Sequence, residues 1–547
     1  MSTKDSRDNP LITPTAGAVD DTSQNMTRQG GVVAAMTLLS RISGLLRDIV
    51  LSYLFGASQL ADMFFVALRI PNFFRRLFAE GAFNQAFVPV LIRYKNMGVD
   101  DLLGFIAPLS GLFATALLLF VCAGVLLAPQ LALLFAPGFA DEPGLLQQTG
   151  DLVRITFPYL GFISLTAYAG ALLNAHNRFA LPAFTPVLLN LTLIGAAVVA
   201  LRGWSQLPAT EILAWGVLIA GILQLLFQLP SLAHLKVLPK PNYAHKHPGV
   251  RQVGKLLLPA ILAASVGQIN ALVNTILAST LITGSISWLY YADRLLELPI
   301  GLVAVALGTV MLPHLSRLAA SADDTHFSAT LDWGVNLGLM LSLPAAVALY
   351  VLAGPLLATL FMSFDNGAMT DHDIRMAGLA LQMFAVAMPG FVLVKVLSPA
   401  FFAHENTQSP FRYASIAVAV NLVVSLSTFS WFGHVGLAWA TAISAWSHVL
   451  LLYVGLSRRG LYQATVKLWP MFYKTLLGTG LLAGLLIYIN AQFQWLSMPG
   501  GLRIAWVAGI SAAGLLLYAG LLWLLGVRSE HLRHMSVAQQ TRHGSTN

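Results

Sequence analysis

The sequence predicts an all-α polytopic membrane protein of about 14 transmembrane helices, arranged as two six-helix lobes around a central cavity plus two C-terminal helices. Three observations lead there. The 547-residue chain is 57% hydrophobic and only 10% charged, with a mean hydropathy of +0.72, whereas a soluble domain carries about 25% charged residues. Its apolar runs, bounded by Gly, Pro and charge clusters, have the length of about 20 residues that a bilayer's hydrocarbon core asks of a helix. Short motifs also recur at offsets of 224 to 229 residues.

Residues 1–29 are rich in Asp, Thr and Ser and lack the charged, apolar and small-residue blocks of a signal peptide, so they read as a disordered cytoplasmic extension. Apolar segments follow at 30–55, 59–93, 103–135, 150–175, 182–201 and 211–235, an N-lobe within 30–240. Those at 252–281, 286–317, 328–361, 375–403, 410–432 and 435–457 form a C-lobe within 250–460. Segments 467–490 and 502–527 complete the set within 461–530, and 531–547 is a cytoplasmic tail. Alternate loops satisfy a positive-inside bias. The ends of even-numbered segments carry Arg93, Lys95, Arg178, Lys236, Lys240, Arg251, Arg317, Arg412, Arg458 and Arg459, while the opposite side has acidic patches at Asp141–Glu142 and Asp365–Asp373. Both termini are therefore expected on the cytoplasmic side.

The internal repeat is weak but consistent. Pro89 and Arg93 end the second segment as Pro313 and Arg317 end the eighth, and Gly161-Phe162 precedes Asn177 as Gly390-Phe391 precedes Asn406. Transporters built from repeats place their substrate site between the halves, near the midplane.

Eight charged residues lie inside the first two segments: Arg41, Arg47, Asp48, Asp62, Arg69, Arg75, Arg76 and Glu80. Each would cost about 2.5–3.5 kcal/mol if held at the bilayer centre, so they must face protein or water. At 100° per residue, Ser40, Arg41, Ser43, Gly44, Arg47 and Asp48 share about 160° of the first helix. Asp62, Arg69, Asn72, Arg76, Glu80 and Asn84 form a stripe about 120° wide on the second, with Arg75 beside it and Pro71 positioned to bend it. On the eighth, Tyr290, Asp293, Arg294, Glu297 and Gly301 fall within about 100°. Two readings compete. Ion pairs such as Arg47 with Asp62, Arg76 with Glu80 and Arg294 with Glu297 would simply lock helices together. Alternatively the stripes line a hydrated anion-binding cavity, which the excess of arginine over acid and the absence of lysine favour, because the guanidinium fork binds phosphate bidentately. The candidate substrate-binding set is Arg41, Arg47, Asp48, Asp62, Arg75, Arg76, Glu80, Asp293, Arg294 and Glu297.

Other signals carry less. His404-Glu405-Asn406 has no second ligand at helical spacing and reads as a loop. His245 and His247 belong to a basic loop expected at lipid headgroups. Gln268, Asn270, Asn274 and Asn421 read as interhelical hydrogen-bonding residues rather than a cation site. Cys122 is the sole cysteine, which excludes an intrachain disulfide and a thiolate cluster. No Walker loop, Gly-x-Ser-x-Gly or His-Glu-x-x-His motif is present, so no cofactor, metal or catalytic residue is expected.

The runs Leu39-Ser40-Arg41-Ile42-Ser43-Gly44-Leu45-Leu46-Arg47-Asp48 and Ala61-Asp62-Met63-Phe64-Phe65-Val66-Ala67, with the block from Leu68 through Pro71-Asn72 and Arg75-Arg76 to Phe83, resemble the MviN/MurJ family of lipid II flippases. Tyr291-Ala292-Asp293-Arg294-Leu295 resembles the family's central cavity motif. The resemblance covers the chain beyond residue 29. It implies the multidrug/oligosaccharidyl-lipid/polysaccharide exporter fold, a lipid-tail groove on the last two helices, and family cavity residues at Arg41, Arg47, Asp62, Arg75, Glu80 and Arg294. Some members bind sodium through acidic residues in helices seven and eleven, which here offer Asn270, Asn274 and Asn421 instead.

The implied function is flipping of lipid II, the undecaprenyl-diphosphate disaccharide-pentapeptide, from the cytoplasmic to the periplasmic leaflet of the bacterial inner membrane by alternating access. The partners would be lipid II and membrane lipids, with no nucleic acid, a monomeric state and transient contacts with the cell-wall synthesis machinery. A flippase for another polyprenyl-linked oligosaccharide and a cation-coupled drug exporter are the alternatives within the fold. An integral membrane polyprenyl-diphosphate enzyme is the alternative from another class, and it would need metal-binding carboxylates or a histidine at the membrane edge.

Overall fold

The computed structural model describes residues 16–77, 83–243, 247–362, 366–466 and 468–528, and all their regular secondary structure is helical. In chain order the helices are α1 (Ala16–Phe55), α2 (Gln59–Arg75), α3 (Phe83–Met97), α4 (Val99–Leu126), α5 (Ala128–Phe135), α6 (Leu145–Thr156), α7 (Tyr159–Ala175), α8 (Ala180–Leu201) and α9 (Ala209–His234). The second half holds α10 (Pro248–Ser279), α11 (Ser285–Ala320), α12 (Asp324–Val351), α13 (Ala353–Phe361), α14 (Asp371–Ala403), α15 (Gln408–Arg458), α16 (Leu468–Ala491) and α17 (Gly500–Leu524).

Each sequence-predicted segment corresponds to one helix, part of one, or two helices in tandem. The third, fourth and ninth segments are the pairs α4–α5, α6–α7 and α12–α13. The eleventh and twelfth share α15, whose backbone breaks at Gly433 (φ 56°, ψ −137°), between the two predicted segments. Among the described residues, nine helical stretches are long and apolar enough to cross a membrane. The charge-bearing α1, α2 and α11 are not among them, α2 being only 17 residues long.

Three expectations change. Residues 16–29, read as part of an unstructured extension, continue α1 as helix; the tail at 531–547 lies outside the described residues. The second segment is not one helix: α2 runs through Pro71 to Arg75 and opens into a π turn at residues 76–77 before α3 begins at Phe83. His247 is half-buried and has a role within the fold beyond the headgroup contact expected of it. Its Nδ1 accepts the Gly249 N–H at 3.2 Å, capping α10, and its ring lies 5.4 Å from that of Tyr94. His245 lies outside the described residues.

Packing repeats between the halves. Helix α1 packs on α8 and α7 on α9, as α10 packs on α15 and α14 on α15. The α7–α8 and α14–α15 loops are built alike. His176 and His404 each bond the carbonyl four residues earlier, Leu172 at 2.8 Å and Ala400 at 3.0 Å. Asn177 and Glu405 then take positive φ (59° and 57°). The repeat thus aligns His176 with His404, one residue away from the Asn177–Asn406 match read in the sequence. His404-Glu405-Asn406 is a loop, as expected, with Asn406 Oδ1 accepting the Ser409 N–H at 3.1 Å.

The apolar core is asymmetric along the helices. At one end a single core merges both halves, with Phe64, Leu160 and Leu213 joining Trp288, Leu357, Leu381 and Leu437. At the other end the halves keep separate cores. One is built on Phe87, Phe105, Leu172 and Leu232, with Val250 and Val253 of α10 joining it; the other on Met311, Leu331, Val396 and Leu452. In lipid, association of this kind rests on close packing and interhelical hydrogen bonds rather than on the hydrophobic effect. The last two helices form a smaller cluster in which Leu482, Val507 and Tyr518 pack on Met340 and Leu352, and the Tyr518 hydroxyl donates to Met340 O at 2.9 Å.

Candidate functional site

A cavity of about 900 Å³ lies between the halves, walled by α1, α2, α7, α8, α9, α10 and α11. That is near the top of the roughly 300–1,000 Å³ range of small-molecule sites. Phe65, Phe135, Tyr159 and Ile286 line it and also belong to the merged core, so the cavity is blind at that end. The Phe65 ring stacks on Tyr290 with centroids 4.0 Å apart.

Asp48, 1% exposed, serves arginines from both halves. Arg47, the next residue on α1, gives it Nη2 at 2.7 Å and Nε at 2.9 Å. Arg294 on α11 brings Nε to within 3.3 Å of its other oxygen, and the Tyr290 hydroxyl donates to Oδ1 at 2.8 Å. Arg47, 7% exposed, also donates to Asn190 Oδ1 at 3.0 Å. Asn190 is held in turn by Ser43 Oγ (2.9 Å) and Ser40 O (3.1 Å), a contact that fixes α8 against α1. Arg294 further pairs with Glu297 at 2.8 Å and covers the Tyr290 ring at 4.9 Å. Pairing and hydrogen bonding let these charges persist in a poor solvent.

Around this hub the wall is cationic. Arg41, Arg47, Arg69, Arg75, Arg76, Arg294 and Lys395 line the cavity, against the carboxylates Asp48, Asp293 and Glu297 among the described residues. Arg41 reaches from α1 to α11, where it donates to Glu297 O at 3.2 Å. It passes over Gly301, and any side chain there would collide with its guanidinium. Arg69 bonds Thr275 Oγ1 of α10 at 2.7 Å, and Arg75 donates to Asn72 Oδ1 at 3.1 Å.

Of the ten candidate residues, Arg41, Arg47, Asp48, Arg75, Arg76, Asp293, Arg294 and Glu297 line this cavity. Glu80, and with it the expected Arg76–Glu80 pair, lies outside the described residues. Asp62 does not line the central cavity, which corrects both its place in the set and its expected pairing with Arg47. It is 4% exposed and caps α11: Oδ2 accepts the Gly284 N–H at 2.7 Å and Oδ1 accepts the Ser287 N–H at 2.9 Å. A carboxylate there complements the positive end of the helix dipole. The helical wheel had grouped Asp62 with Arg69 and Arg76, but it sits near the start of α2 and faces the merged core. The expected bonding of Asn421 across helices is also absent among the described residues. Its Oδ1 accepts from Ser425 on the same helix at 3.4 Å, while its Nδ2 and Asn274 Oδ1 are buried without partners.

Sequence reasoning missed Asn190, Gln224, Gln228 and Lys395, all of which line the cavity. A signal existed for each. Asn190 and Lys395 are lone polar residues within apolar runs, and Gln224 and Gln228 stand four apart on one face of a helix.

A family profile described as "Lipid II flippase MurJ" matches residues 51–502. The chain belongs to the MurJ family. Relatives extend over nearly the full length. A Vibrio cholerae serotype O1 protein named "Probable lipid II flippase MurJ" is 41% identical over 525 residues, 93% of this chain and 98% of the relative. The Burkholderia cenocepacia "Lipid II flippase MurJ" is 39% identical, covering 93% and 99%. Among solved structures, "Lipid II flippase MurJ, inward closed conformation" superposes with a TM-score of 0.75 at 27% identity, over 89% of this chain and 97% of that one. An inward-facing multidrug-resistance MATE transporter of the MOP superfamily superposes at 0.63 with 14% identity over 78% and 97%, a likeness of fold alone. The chain is therefore a multi-pass membrane protein with the fold of transporters rather than of enzymes.

Proposed function

We propose that this protein flips lipid II from the cytoplasmic to the periplasmic leaflet of the bacterial inner membrane, with the diphosphate bound by the cavity arginines. The observation that carries the reading is the cavity itself: blind at one end, about 900 Å³ in volume, and lined by seven cations against three carboxylates among the described residues. A diphosphate in a water-poor site calls for several guanidinium forks, and here they come from both halves. Family membership and the names of the relatives support the same substrate.

With both termini cytoplasmic, as the loop charges indicate, α1 runs outward and α11 inward. The merged core then lies toward the periplasm and the cavity opens toward the cytoplasm. Arg41, Arg75 and Arg76 meet the diphosphate first, and Arg47 and Arg294 lie deeper at Asp48. Rocking of 30–240 against 250–460 would part the merged core and expose the same arginines to the other side. The apolar flank of α16 and α17 (residues 461–530), where Leu477, Leu481, Leu515 and Leu516 are exposed, suits a polyprenyl tail running outside the cavity. The protein works as a monomer and needs no bound cofactor on this reading. The cationic wall disfavours a drug exporter, whose cargo is commonly a cation and calls for acid.

Depletion in cells tests this. Lipid II should accumulate on the cytoplasmic leaflet, and the purified protein should move it across reconstituted vesicles. Unchanged leaflet distribution on depletion would overturn the assignment.

A further inference from the structure

The cavity holds a second polar feature that the arginine network does not use. Gln224 and Gln228 of α9 line the cavity, each only 1% exposed. Their amides have a fixed orientation. Gln224 Nε2 donates to the backbone oxygen of Thr185 at 2.9 Å, and a carbonyl can only accept. Gln228 Nε2 donates to Thr185 Oγ1 at 3.1 Å, and that hydroxyl has already given its hydrogen to Leu181 O at 3.1 Å. Neither amide can flip without breaking its bond, so both Oε1 atoms must point away from α8. Both are buried with no hydrogen-bond partner. An unpaired buried acceptor is destabilising, and an apolar side chain of the same size would avoid it.

Gln228 Oε1 lies close to the cavity-lining Gly170. A Cβ built at Gly170 of α7, which itself lines the cavity, would stand 3.6 Å from Gln228 Oε1 and 3.4 Å from Pro182 Cβ. A side chain at Gly170 would pack directly against that oxygen. The chemistry of the pair differs from that of the arginines: neutral, with two unused acceptors suited to O–H or N–H donors rather than to anions.

We propose that Gln224 and Gln228 form a second subsite, one that reads hydroxyl and amide donors of a saccharide–peptide headgroup as α7 shifts around the bound substrate. The proposal rests on the lipid II reading above. It divides recognition in two, with arginines binding the diphosphate common to any polyprenyl-diphosphate carrier and the glutamines selecting what the diphosphate bears.

The test measures binding of two probes to purified, detergent-solubilised full-length protein: undecaprenyl diphosphate alone and undecaprenyl-diphosphate-linked disaccharide-pentapeptide. The double variant Gln224→Met, Gln228→Met keeps side-chain volume and removes both amides. It should bind the headgroup-bearing lipid about tenfold more weakly and undecaprenyl diphosphate as tightly as the unaltered protein. Gly170→Ala places a methyl in ordinary contact distance, keeps both amides, and should reproduce the selective loss. A thermal melt within a few degrees of the parent's confirms that each variant is folded; if the methionine pair melts low, Gly170→Ala alone decides. Equal weakening for both probes, or full affinity for the headgroup-bearing lipid in Gly170→Ala, would overturn the subsite. If the unaltered protein binds neither probe, it is the lipid II reading that fails.

Discussion

Asp48 offers the sharpest test of how the charged interior is held together. Asp48→Asn keeps the shape of the side chain and an oxygen for the Tyr290 hydroxyl, but it deletes the charge shared by Arg47 and Arg294. Arg47 is 7% exposed and has its charge partner 2.7 Å away. An ion pair at about 4 Å in an effective dielectric of about 20 is worth about 4 kcal/mol, and removing one partner of a buried pair costs about 3–5 kcal/mol. Against a typical stability of about 5–15 kcal/mol, the melting temperature of the solubilised protein should fall sharply. Adding Arg47→Gln removes the stranded cation, and much of the stability should return, because deleting both partners costs less than deleting one. Thermal unfolding of the parent, both single variants and the double variant, followed by size-exclusion recovery after heating, gives the complete cycle. Cells carrying the double variant should still fail to grow, since the protein folds but has lost a deep guanidinium. A melting temperature for Asp48→Asn equal to the parent's, or a double variant no better than the single, would refute the pairing and leave Arg47 neutralised by water instead.

Other outcomes follow from the same geometry. Gly301→Ala sets a methyl where the Arg41 guanidinium lies, so function should drop while folding holds, and growth complementation beside a melt will separate the two. Asp62→Asn turns an acceptor toward the Gly284 N–H into a donor, which should cost about 1–3 kcal/mol; an unchanged melting temperature would contradict the cap. Arg294→Ala with Glu297→Ala removes one ion pair but also strips Asp48 of its second arginine, so the double variant should stay inactive, and recovery of growth at normal protein levels would sink the anion-binding role of Arg294. With Cys122→Ser as background, single cysteines at Thr407 and Arg458 should resist impermeant thiol reagents added outside intact cells while one at Asp371 reacts; labelling at Thr407 would overturn the fourteen-segment topology.

Much of this architecture can be read along the chain because membrane helices carry their own length and polarity rules. The apolar runs located the segments, including the break that Gly433 makes inside α15, and the arginines of α1, α2 and α11 marked the cavity wall. What the chain could not disclose is register between helices. A helical wheel treats Asp62 and Arg76 as neighbours on one stripe, although along the axis they stand almost four turns apart, one at the merged core and the other toward the open end. Likewise the wheel cannot show that Arg47 would turn to its own neighbour Asp48 rather than to Asp62. Asn190, Gln224 and Gln228 lie on helices apolar enough to pass as plain spans, and only packing of α8 on α1 and α9 reveals that their amides face the interior.

The position of Asp48 has a consequence for the return half of a transport cycle. A carrier lined with guanidiniums that has just released an anionic cargo would face mutual repulsion across its two halves. Here a resident carboxylate on α1, within 3.3 Å of Arg294 on α11, supplies a negative charge whether or not cargo is present. On the proposed function it would stand in for the departed phosphate and keep the empty carrier bridged as it resets. Incoming cargo would then compete with an internal anion for the arginines rather than fill a bare positive site. That exchange tempers affinity, and a carrier that must let go of its cargo on the far side needs such tempering.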